Sequence, residues 1–219
     1  MAASELRRIT AAALVLAPAL FLLDNILHPK ELARGNEAEQ LAEIADAYQR
    51  WQAAHAIGFV SVIVFGAAVA GLAALIYRTA PRMALAGGTL AMAGLMGLAA
   101  AITIDGYTWG VLGEISARPG ADPATVALAL KDVQESEWSL VYYLTPVGFI
   151  LGMLVLIVSA VRERLVPAWA GALLALGVLM VGTETTIISN VYFVVGAAVL
   201  LAGGAAVAWS LTTRPPIST

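Results

Sequence analysis

Six apolar runs, at residues 9–27, 53–77, 83–104, 140–161, 168–188 and 191–211, divide this chain of 219 residues. About 20 apolar residues cross a hydrocarbon core of roughly 30 Å as a helix, so each run has the length of one membrane span. Together they occupy most of the sequence. The connections at 28–52 and 105–139 have room only for one or two short helices each, which leaves a single domain over residues 1–219 and no separate soluble one. The expected fold is therefore all-α: a polytopic membrane protein with six transmembrane helices and two short amphipathic helices in the outer loops.

Composition agrees with the runs. The chain is 60% hydrophobic and 12% charged, against roughly a quarter charged in soluble domains. The formal net charge of −3 offers nothing to nucleic acid. The absence of cysteine removes disulfides, thiolate metal sites, iron–sulfur clusters and cysteine nucleophiles together. The first run follows Arg7 and Arg8 like a secretory signal, but it is longer than a signal core and has no small-x-small cleavage site before Asp24, so a retained helix is expected.

Charge sets the orientation. Seven of the 12 basic residues, Arg7, Arg8, Arg78, Arg82, Arg162, Arg164 and Arg214, flank the runs at one end. Basic residues in short flanking segments mark the cytoplasmic side, which places both termini inside, in a plasma (inner) membrane. All of the 15 Asp and Glu except Glu5 and Glu163 fall at the opposite end, with both histidines.

Asn36 and Glu39 have capping-box spacing, and the residues after them form a stripe, Leu41, Ile44, Tyr48, Trp51 and His55. An outer helix at about 37–52 is expected to run almost continuously into the second span, with His55 turned toward protein. Asp122-Pro123 is a second helix start, with proline at the first helical position. It opens a helix at about 123–137 whose apolar stripe is Val126, Leu130 and Val133. The two loop helices can pack together as a cap.

Pro18 and Pro146 lie inside spans one and four, where a packing kink is the expected consequence. Gly148 with Gly152, and Gly94 with Gly97, allow close helix approach. That permits a homo-oligomer, although packing within the chain is the expected use. Trp109, Trp138, Tyr142 and Tyr143 fit an outer interfacial belt, and Trp169 and Trp209 an inner one.

The candidate site is a layer of ionisable groups at the outer ends of the spans, where such groups usually have a partner or a task. Asp24 and His28, four apart, share a helix face. An aspartate there can orient a ring N–H of His28 and free the other nitrogen for a metal, a proton or a substrate. His55 enters from span two, Asp105 from span three, Glu137 from span four and Glu184 from span five. Glu184 lies among Thr183, Thr185 and Thr186 with no basic residue nearby, so it must find a metal, a histidine or a second acid, or else reach the outer surface.

Several chemistries could use this layer. His28, His55 and Asp105, or Glu184 in its place, can ligate zinc, with a bound water as nucleophile and Glu184 and Asp105 as catalytic groups. Asp24, Glu137, Trp138 and Tyr142 would then bind a lipid or small apolar ligand from the outer leaflet. Alternatively, the two histidines can hold one b-type haem. A proton-coupled carrier using Asp24, Asp105 and Glu184 needs an inward polar route, yet the inner halves of the spans hold no ionisable group. The last alternative is a non-catalytic surface that docks membrane lipids or a partner protein.

The Arg7-Arg8 start, the His28-Pro29 exit, the acidic loop helix and the Arg50-Trp51 to His55 passage into span two resemble the six-span actinobacterial membrane proteins grouped as domains of unknown function. The resemblance covers the first third of the chain. It implies a membrane location and no particular activity.

Overall fold

The computed structural model describes residues 3–29, 36–136, 140–183 and 190–213, and these fold into helices. In chain order they are α1 (Ala3–Leu27), α2 (Glu37–Asp46), α3 (Tyr48–Tyr77), α4 (Pro81–Thr103), a π-helical turn (Ile104–Trp109), α5 (Gly110–Ser116), α6 (Pro123–Glu135), α7 (Leu140–Arg162), α8 (Ala168–Gly182) and α9 (Asn190–Thr213). Among the described residues four helical segments are long and apolar enough to cross a membrane: Ala3–Leu27, Tyr48–Tyr77, Pro81–Ser116 and Val191–Thr213. The fourth and fifth runs hold shorter apolar stretches among the described residues, Pro146–Arg162 within α7 and Ala168–Gly182. Among the described residues the fold is thus all-α with four helices of spanning length, where the sequence suggested six.

The long helices pack side by side in the cyclic order α1, α3, α4, α7, α8, α9 and back to α1. Their shared core is built from Leu14, Ala17, Phe21, Phe65, Leu72, Phe149, Leu156, Leu174 and Leu200. Phe65 and Phe149 meet edge to face, with ring centroids 5.9 Å apart, an arrangement that suits the ring quadrupoles.

Small residues set the close seams. Along α1–α3, Thr10 lies against Gly71, Ser61 Oγ donates to the Ala17 carbonyl (2.9 Å), and the Asp24 carboxylate lies over Gly58. Along α4–α7, Gly94 meets the Phe149 backbone, and Gly152 meets Ala91 and the Gly87 carbonyl. The Gly148–Gly152 pair is therefore spent on packing within the chain, because a second copy could not occupy the same face.

At one end, α2, α5 and α6 pack on one another as a cap. Leu41, Val126 and Leu130 form its centre, with Trp109, Leu112 and Ile115 against them. Gln134 Nε2 donates to Gln40 Oε1 (3.0 Å), which ties α6 to α2. Asn36 makes half of the expected capping box: its Oδ1 accepts from the Glu39 N–H at 3.2 Å, while Glu39 Oε2 accepts at 2.9 Å from the Asn36 side-chain Nδ2 instead of from a backbone N–H. Of the expected stripe, Leu41, Ile44, Trp51 and His55 are buried and Tyr48 is half-buried, with a break at Ala47 between α2 and α3.

Two boundaries differ from expectation. The third helix does not end at 104 but runs through the π turn to Ser116. Trp109, expected in an outer lipid belt, is instead part of the cap and stacks on Trp51 with centroids 6.3 Å apart. Both follow from Gly106, Gly110 and Gly113, which lie on one face and let this segment approach α3 and α2 closely. Trp169 and Trp209 are exposed, as an interfacial belt requires.

Asp122 caps α6, with Oδ2 accepting from the Thr125 hydroxyl (2.7 Å) and Oδ1 from the Ala124 N–H (3.2 Å). Those bonds, the hydroxyl's first, hold its carboxyl below the ordinary aspartate value. A depressed folded-state value means the cap is fully present above about pH 3.8 and is lost as pH falls through the lowered value. Asp122→Ala should therefore speed hydrogen exchange of the Ala124 and Thr125 amides at neutral pH. The wild-type cap should begin to fray only in strong acid.

Candidate functional site: an imidazole–indole cluster beneath the cap

The site forms where the buried stripe of α3 meets the end of α1 and the π turn. Trp51 is fully buried and central. Its Nε1 lies 3.3 Å from both the Asp105 and Gly106 carbonyls, and Gln52 Nε2 donates to the Gly106 carbonyl at 3.0 Å. A π turn interrupts the regular i→i−4 ladder, and such turns recur at functional sites. Here side chains of α3 bond the carbonyls of the irregular segment, which pairs buried backbone acceptors there.

Gly106 permits this approach. A Cβ on residue 106 would stand 2.7 Å from His55 Cβ and 2.9 Å from its Cγ. A Cβ on residue 110 would stand 2.5 Å from Gln52 Nε2. A larger residue at 106 must move the segment or the His55 stem, whereas one at 110 must displace the Gln52 amide from the Gly106 carbonyl.

Both histidines join Trp51. His55 lies 4.3 Å from it, His28 lies 4.9 Å from it, and the two imidazoles are 5.2 Å apart, centroid to centroid. His55 Nδ1 is 2.8 Å from the Trp51 carbonyl, and His28 Nδ1 is 3.0 Å from the Pro29 carbonyl. A carbonyl can only accept, so each δ nitrogen carries the proton. In a neutral ring the ε nitrogen then keeps its lone pair. Burial, above all, holds His28 below the ordinary imidazole range; the Pro29 carbonyl opposes this and the Arg50 charge adds to it. His28 is thus neutral at pH 7.

The expected layer is assembled only in part. His28 and His55 meet. Asp24 lies one turn deeper on α1, over Gly58, and is not the partner of the His28 Nδ1–H, because the Pro29 carbonyl is nearer at the helix end. Asp105 sits in the π turn, where its carbonyl receives Trp51. Among the described residues no three His, Asp or Glu side chains converge closely enough to hold a metal ion, so Asp105 does not complete a triad with the imidazoles. Glu137, Trp138 and Glu184 lie outside the described residues, as does the side chain of Tyr142.

A b-type haem does not fit this arrangement. Axial imidazoles must bracket the porphyrin from opposite faces, whereas these two rings pack on the same indole with no gap for a macrocycle. A groove of about 450 Å³ between α2 and the α5–α6 turn is lined by cap residues such as Ala42, Ala45, Ser116 and Pro123. Neither imidazole borders it.

Trp51, Gln52 and the three glycines were absent from the expected site. The signal for the glycines was their spacing at 106, 110 and 113, which puts them on one helix face. No protein family, curated protein or solved structure matches the chain.

Proposed function

We propose that the chain is a six-span membrane protein with both termini cytoplasmic, and that His28 and His55 form an extracytoplasmic site for a small ligand. The side-by-side packing of α7 and α8 with the four long helices supports six spans. The flanking arginines and the acidic cap support the orientation. The functional part rests on one observation: two imidazoles share one cluster, and each has its δ nitrogen tied to a backbone carbonyl. The ε nitrogens are what remains for chemistry, as metal ligands or as general bases.

The cysteine-free chain suits accessibility labelling. Lys131→Cys, on the cap, should react with a membrane-impermeant maleimide on intact cells. Arg82→Cys, in the first turn of α4, should react only after lysis. The opposite pattern would reverse the orientation and end the extracytoplasmic reading.

A further inference from the structure

Three places in the molecule present unassigned polar chemistry: the Asp24 carboxylate over Gly58, the groove on the cap, and the pair of imidazoles. Asp24 stands apart from any group of ligands, and nothing on the cap groove names its occupant. The imidazoles carry an argument further, one that rests on the site proposed above.

We propose that His28 and His55 together bind one divalent transition-metal ion of the copper–zinc class, with the remaining coordination positions open to water or substrate. Imidazole nitrogen selects such ions over magnesium or calcium, which take oxygen donors. Histidine ligands nearly always give their other ring N–H to a carbonyl, carboxylate or water, which fixes the tautomer and the ring. Both rings meet that condition before any metal arrives, through the Pro29 and Trp51 carbonyls.

Ring separation agrees. Metal–nitrogen bonds of about 2 Å, disposed tetrahedrally, put two imidazole centroids roughly 5 Å apart, and here they are 5.2 Å apart. Trp51 packs against both rings, and the Gly106 backbone lies flat on His55. The pair is therefore held in place by its surroundings. Two protein ligands make an open site, and open positions are what distinguish catalytic metals from structural ones.

The test uses the full chain in lipid nanodiscs, purified without a histidine tag and titrated with Cu(II) chloride. Wild type should take up one equivalent, with an electron paramagnetic resonance spectrum split by two imidazole nitrogens, and Zn(II) should displace the copper. His28→Ala or His55→Ala should each leave one nitrogen and weaken binding at least about tenfold. The double variant should lose the signal. His28→Gln and His55→Gln, which keep a polar side chain, guard against misfolding and should show the same losses.

Wild-type protein that takes up no copper, or a folded double variant that binds as tightly as wild type, overturns the proposal. Copper-free protein with Lys131→Cys still labelled from outside removes the metal and leaves the outward-facing site. Copper bound through both histidines in a chain labelled the other way round removes the orientation and keeps the metal.

Discussion

Trp51→Ala should destabilise the protein by about 3–5 kcal/mol, the usual cost of emptying a buried large aromatic position. The residue is fully buried and touches both imidazoles and Trp109, so the void opens at the junction of α1, α3 and the π turn. The indole N–H is also lost from the Asp105 and Gly106 carbonyls, while the Gly106 carbonyl keeps a donor in Gln52. Trp51→Phe separates the two effects. It restores most of the apolar area and should recover all but about 1 kcal/mol, the net worth of a hydrogen bond. Thermal unfolding in nanodiscs reads both. An alanine variant that melts with wild type would show that this indole does not hold the site together.

Gly152→Val should be at least as damaging. Overpacking usually costs about 1–3 kcal/mol, but here the added Cβ would meet backbone: the Ala91 nitrogen, the Gly87 carbonyl at 2.6 Å and Ala91 Cα at 2.7 Å. A side chain can rotate away; a helix must move as a whole. The α4–α7 pair should therefore separate, with a loss at or above the top of that range and a sharp fall in folded yield. Gly66→Ala is the control, since its Cβ would meet only the Met92 side chain at an ordinary 3.6 Å. Equal melting of Gly152→Val and wild type would contradict the close seam.

Much of the fold was legible because period and punctuation are local. The N-cap at Asn36, the Asp122-Pro123 start and the stripe through Leu41, Ile44, Trp51 and His55 each need only a few neighbouring residues, and each is found. The segment after 104 was misread for the converse reason. Gly106, Gly110 and Gly113 each weaken an isolated helix by about 1 kcal/mol relative to alanine. They are helical or π-helical here because contacts with α2 and α3, more than 50 residues away for Trp51 and Gly106, outweigh that preference.

The site was legible to the same degree. Placing His28 and His55 at one level was a matter of counting along helices, and they do meet. Their hydrogen-bond partners were not countable. Helix α1 ends at Leu27, and that end brings the Pro29 carbonyl to the ring, so the carboxylate four residues back is not used. Glu184, which carried most weight in the sequence, lies outside the described residues.

Helix α1 is wedged between α3 and α9, with Gly204 pressed on the Leu14 carbonyl. A ribosome delivers α9 long after α1, so the flank of α1 that it covers must wait, facing lipid or an insertion chaperone, until α9 emerges. His28, just past the end of α1, therefore sits on a helix whose packing is completed only by that later docking, so the site is assembled from parts made far apart in time.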